Sequence, residues 1–129
     1  MRGAFVLIAV AAAATAIGCG SQGVELPADD PDHVGAQIFA ERCSGCHTLS
    51  VAGTQGSANR SQRSQGPNFD QRRETVDDVI FAIRNGGFSG AIMPQNIVIG
   101  PDAEKVANFL AKYAGQDVAD QPRPAGAAP

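Results

Sequence analysis

Five consecutive residues, Cys43-Ser44-Gly45-Cys46-His47, carry the chemistry that the rest of the sequence has to explain. Two thiols on one helical turn can reach the two vinyl groups of a haem and form thioethers, and the adjacent imidazole of His47 then meets the iron from the same side. Three other uses of these residues stand beside that one. A structural zinc site needs four ligands, and outside the motif the chain offers only Cys19 and His33. A thioredoxin-like redox pair expects a βαβ setting, and the sequence shows no convincing strand. A plain disulfide in an exported chain leaves His47 without a role. One covalent haem per chain is the reading that uses all three residues.

A haem iron has a second axial position. Apart from Met1 the sequence holds a single methionine, Met93, so a thioether ligand has no other source once an N-terminal signal is removed. Met93 could instead fill a gap in a core. It sits, however, in the glycine-containing, proline-pinned loop Ala91-Ile92-Met93-Pro94 rather than on a helical stripe. The rivals are His33, about 15 Å away along a first helix at 1.5 Å per residue, and more remotely Lys105 and Lys112.

The elements that must position these groups read as helices. Asp32 is placed to cap a first helix from Val34 to Cys43, with Gly35, Ala36 and Ala40 allowing another helix to approach closely. Ser50 to Gly66 offers almost nothing to bury and reads as a long solvent loop. Val76, Val79, Ile80 and Ile83 form one stripe of a second helix, Thr75 to Arg84, which Asn85-Gly86-Gly87 ends. A third helix starts near Pro101-Asp102, with Asp102 as its cap, and stops at Gly115. Its inner face is Val106, Phe109, Leu110 and Tyr113.

Both ends differ in composition from this middle. Met1-Arg2 followed by an uncharged run to Ile17 is an export signal. Ala16-Ile17-Gly18-Cys19 resembles a bacterial lipobox, in which Cys19 is acylated, although that motif prefers leucine where Ala16 stands. Cleavage after Ala14-Thr15-Ala16 is the competing reading and leaves Cys19 as a stray thiol. The expected organisation is a lipoprotein-type signal over 1–18, a flexible acidic tether over 19–32, a haem domain over 33–115 and a disordered Pro/Ala-rich tail over 116–129. With 129 residues and no tryptophan, the side chains alone make a thin core, and a macrocycle would supply missing apolar volume. A formal net charge of −3 gives no sign of a nucleic-acid partner.

From Val34 to Gly115 the chain resembles class I c-type cytochromes in the order of its landmarks. These are Gly35 and Phe39, the CxxCH, Gly66-Pro67, Met93-Pro94 and an aromatic-bearing last helix. The resemblance implies an all-α fold, three main helices around one haem c, with the first and last helices crossing. It also implies that the Pro67 carbonyl orients His47. Histidine and methionine would then close both axial positions, which makes the chain a one-electron carrier of an exported respiratory-type chain and not an enzyme. Its partners would be redox proteins (a membrane oxidase, reductase or dehydrogenase), and it would act as a monomer held at the outer face of the plasma membrane or the periplasmic side. The alternatives are a permanently bound cytochrome subunit of such a complex, or a haem sensor or enzyme with a displaceable Met93. Two features depart from the family's mitochondrial members. There is no tryptophan near a propionate, leaving Arg60, Arg63, Arg72, Arg73 and Asn68 as substitutes, and there are two lysines instead of a docking ring.

Overall fold

The computed structural model describes residues 23–56, 66–88 and 92–116. Three helices form the domain: α1 over His33–Cys43, α2 over Val76–Asn85 and α3 over Pro101–Tyr113. Among the described residues the only β pairing is two isolated bridges, Thr48 with Asn68 and Leu49 with Thr54. The all-α architecture of three main helices expected from the sequence is the one observed.

Helix α3 packs against both α1 and α2, and α1 crosses it closely because Gly35 has no side chain. A Cβ at that position would collide with the Lys105 carbonyl oxygen and lie 2.9 Å from Phe109 Cβ. The crossing buries Ala36, Phe39, Val106, Ala107 and Phe109 almost completely. Phe39 is the hub, its ring centroid 6.0 Å from that of Phe109 and 5.9 Å from that of Phe69. Full burial of a phenylalanine contributes roughly 1.5–3 kcal/mol, so these rings supply much of what a short chain can bury. Gly35→Ala should destabilise the holoprotein by about 1–3 kcal/mol through overpacking. At about 4–8 °C per kcal/mol for a domain this size, thermal melting would reveal it, and an unchanged Tm would contradict the close crossing.

Helix boundaries follow the expected spans to within a residue or two, but the caps differ. Asp32 occupies the N-cap of α1 without a side-chain cap hydrogen bond, because its carboxylate accepts instead from Lys112 Nζ on α3, at 2.7 Å. Asp102 is not the cap of α3 either. Gly100, at φ +60°, holds the N-cap and Pro101 the first turn, while Asp102 pairs with Lys105 at 2.8 Å. In α2 the cap is a reciprocal box: Thr75 Oγ1 accepts from the Asp78 backbone N–H, and the Asp78 carboxylate accepts from the Thr75 N–H. Its other end closes as expected, with Gly86 at φ +74° and the Gly86 and Gly87 amides both turned to the Ala82 carbonyl.

Two expectations about irregular segments need correction. The flexible tether placed over 19–32 does not extend to residue 32, since residues 23–32 pack onto the domain as a strap. The Glu25 N–H donates to the Val51 carbonyl at 3.0 Å, Val24 and Leu26 lie against the core, and Tyr113 Oη donates to Asp30 at 3.1 Å. Gly53, at φ +62°, comes so close to Gly23 that no Cβ would fit. The apolar Val24 and Leu26, scattered among acids, are what the composition of the run concealed. Likewise the solvent loop expected from Ser50 does not begin there. Ser50–Ala52 is a 3₁₀ turn with Ala52 fully buried. Asp70 accepts from both the Ser50 N–H and its hydroxyl at 2.8 Å, and the buried Thr54 hydroxyl accepts from the Leu49 N–H at 3.0 Å. Asp70 and Thr54 thus satisfy backbone groups of the turn, the first at the surface and the second in the core. The signal over 1–18, Cys19, residues 57–65 and the tail beyond Gln116 lie outside the described residues.

Candidate functional site

Cys43 is the last residue of α1, and the chain continues in a turn rather than breaking away. The amides of Cys46 and His47 both donate to the Cys43 carbonyl, at 3.1 and 3.0 Å. Two thiols and an imidazole are thereby gathered at one helix end. From there the chain is tied across to 66–69. The Gly66 N–H donates to the Cys46 carbonyl at 2.9 Å and the Phe69 N–H to the Thr48 carbonyl at 2.8 Å. His47 Nδ1 stands 3.1 Å from the Pro67 carbonyl oxygen. With the proton on Nδ1 it donates there and leaves Nε2 as the ligating lone pair. Phe69 stacks on the imidazole, centroids 4.7 Å apart and planes 15° from parallel.

Met93 arrives from another part of the chain, on a loop docked against the C-terminus of α2. The Asn96 amide donates to the Ile83 carbonyl at 2.7 Å, satisfying one of the acceptors that a helix end leaves open. Asn96 takes φ +54° to do so. Gly86 brings its backbone so close to Met93 that a Cβ would stand 2.7 Å from the Met93 carbonyl oxygen.

Cys43, Cys46, His47, Pro67 and Met93 all line one cavity of about 800 Å³. That volume is at the upper end of small-molecule and cofactor sites, about 300–1,000 Å³. Phe39, Val79, Ile83, Val106 and Leu110 form much of its wall. An apolar chamber with two thiols, an imidazole and a thioether fits a haem. Burial holds the His47 imidazole below its ordinary pKa; the Pro67 carbonyl works the other way and the Arg72 charge adds to the lowering. A neutral ring is what ligation requires. Burial, with a smaller contribution from Cys46, pushes the Cys43 thiol up to about 12. A redox-active pair needs the opposite shift. Among the described residues no three His, Cys, Asp or Glu side chains cluster to hold a metal ion.

The structure does not bring His33 to the cavity: its Nδ1 lies 2.8 Å from the Leu26 carbonyl oxygen, in the strap. Lys105 and Lys112 pair with Asp102 and Asp32. Of the residues weighed for a propionate, Arg72 lines the cavity while Arg73 and Asn68 do not; Arg60 and Arg63 lie outside the described residues. Sequence reading missed Phe69 and Glu74, both buried in the cavity wall. Phe69 follows Gly-Pro-Asn as the first large apolar residue after a polar run, which was the available signal. Glu74, beside two arginines, carried none.

A helical shell around a chamber that ends in CxxCH defines a haem protein with its cofactor bonded to the chain. The cytochrome c family profile matches residues 33–114, more than half of the sequence, and the chain belongs to that family. Its cofactor is covalently bound haem c and its chemistry is haem-based electron transfer. Among solved structures it is similar to the c-type cytochrome SorU from Sinorhizobium meliloti, with 31% identity over 65% of this chain and 91% of that one, and a TM-score of 0.52. No curated protein sequence matches it significantly.

Proposed function

We propose that the chain is an exported, monohaem class I cytochrome that carries one electron at a time. Cys43 and Cys46 would hold the haem, and His47 and Met93 would ligate its iron. The observation that carries this reading is the meeting of all four side chains, from two parts of the chain 46 residues apart, around one apolar cavity. The bound haem supplies a ferric–ferrous couple, and a methionine sulfur favours the ferrous state. The protein's own part is positional: Pro67 fixes the His47 tautomer, Phe69 backs its ring, and the apolar wall keeps water away. With two axial side chains in place the iron has no site for substrate, so the role is carriage and not catalysis. Electrons would pass at the cavity rim, where Phe88 and Ile92 are exposed and Phe81 stacks on Phe88 at 5.4 Å between centroids. Partners would be redox proteins, and the carrier a monomer.

Location belongs to the same proposal. Among the described residues no helix is long and apolar enough to cross a membrane. If Cys19 is acylated, two acyl chains anchor the protein stably, at the outer face of the plasma membrane or the periplasmic side. Gly23 is already held against Gly53, so at most four links separate an acylated Cys19 from the domain. At 3.3–3.6 Å per residue that is a reach of about 14 Å, so the carrier would serve partners in its immediate neighbourhood.

One measurement tests both parts. Intact-mass analysis of native protein after acid-acetone extraction should show one haem retained and an acylated Cys19 at the N-terminus. Haem stripped by extraction would sink the thioether claim. A chain starting at Ile17 with an unmodified Cys19 would mean ordinary secretion.

A further inference from the structure

Glu74 is the one charged side chain that is buried among the described residues, and it stands in the wall of the haem cavity. Its carboxylate pairs with Arg72 Nε, and the two partners are unequally placed: the Arg72 side chain is 48% exposed, that of Glu74 only 5%. Burying a carboxylate is costly even when it is paired, so its place in an otherwise apolar wall needs a reason. The segment is firmly set. Glu74 directly precedes the Thr75–Asp78 capping box of α2, and the Arg72 guanidinium lies over the Phe88 ring, 5.9 Å from its centroid. The other charged residues of the cavity, Arg42 and Asp78, are not buried; Asp78 is engaged by the Thr75 hydroxyl at 2.6 Å.

A charge acts over a given distance more strongly through the protein interior than through water. The buried carboxylate is therefore felt inside the cavity more than the guanidinium that water screens. We propose that Glu74 sets the reduction potential of the haem this cavity takes, its fixed charge favouring ferric over ferrous iron and opposing the effect of the methionine sulfur. Glu74 also positions Arg72, whose remaining guanidinium N–H donors suit an anionic group at the cavity mouth. The inference rests on the haem reading above.

Holoprotein variants would be assayed first for haem by pyridine haemochrome, then for midpoint potential by spectroelectrochemical titration at pH 8. Glu74→Gln should shift the equilibrium towards ferrous by about tenfold, a rise of 59 mV for a one-electron couple. Glu74→Asp, which keeps the charge, should restore most of the wild-type value. Arg72→Gln should move the potential downwards, because a positive charge leaves the cavity wall. A Glu74→Gln potential equal to that of the wild type overturns the proposal and leaves the pair a structural staple. Should Glu74→Gln yield no holoprotein, Glu74→Leu takes its place, since an apolar side chain of similar size is tolerated where a buried charge stood: a higher potential supports the assignment and an unchanged or lower one overturns it. Absence of haem from the wild type overturns both readings, and the haemochrome assay tells that failure apart from a potential indifferent to Glu74.

Discussion

Met93→Ala should abolish the weak band near the red edge of the ferric spectrum, the sulfur–iron charge-transfer signature of this family, and lower the reduction potential. Axial ligands and their surroundings move haem potentials over about 0.8 V. Loss of a thioether that favours ferrous iron should cost on the order of a tenth of that range. The residue is partly buried against the core on a loop held to α2 by the Asn96 amide on the Ile83 carbonyl and the Gln95 side-chain amide on the Asn85 carbonyl. Truncation should leave that loop in place and open one coordination position, so added imidazole or cyanide should bind the variant far better than the wild type. Visible spectra and a potentiometric titration check all three effects. An unchanged spectrum and potential would turn attention to His33 or a lysine. His33 would then have to leave the Leu26 carbonyl, and either lysine would have to break its ion pair.

The sequence shows plainly what depends on local pattern. Of the i, i+3, i+4, i+7 stripe of α2, Val79 and Ile83 are nearly fully buried and Ile80 packs against the core, while Val76, in the first turn, is exposed. Gly86 ends that helix in the left-handed region where glycine belongs. CxxCH fixes a helix turn, so the meeting of Cys43, Cys46 and His47 is legible from five residues. What stays hidden is whatever depends on a partner distant in sequence. Asp32 looks like a cap because nothing local shows Lys112 waiting 80 residues on. The strap looks like a tether because its acids outnumber the two apolar residues that dock it. Arg72 and Arg73 are equivalent on paper, and only the fold turns one to the cavity while Gly115 packs on the backbone of the other. Local rules also misplace the start of α3: Gly100 at φ +60° takes the position that Asp102 seemed suited to fill.

Gly66→Ala should cost the protein most of its correctly ligated haem, although the change adds a single methyl group. Gly66 needs no unusual backbone angle, so alanine brings no torsional strain. The obstacle is space. A Cβ on Gly66 would drive into the His47 ring, overlapping Cε1 and Nδ1 and lying 2.8 Å from Nε2. The ring cannot retreat, because Phe69 is stacked on it at 4.7 Å between centroids and Nδ1 is engaged by the Pro67 carbonyl. Nor can residue 66 withdraw easily while its amide donates to the Cys46 carbonyl. Overpacking of this kind costs about 1–3 kcal/mol, but here the strained group is the proposed iron ligand, and losing an orienting partner of a ligand typically costs about 10–100-fold in affinity or activity. The expected outcome is a low yield of holoprotein, with high-spin or heterogeneous ferric spectra in what is recovered. Pro67→Ala is the companion control. It keeps the backbone carbonyl that accepts from His47 and adds no bulk beside the ring, so it should retain the low-spin spectrum. A Gly66→Ala protein with wild-type yield and spectrum would show that the ring is free to move, and that the 66–69 segment does not fix the proximal histidine.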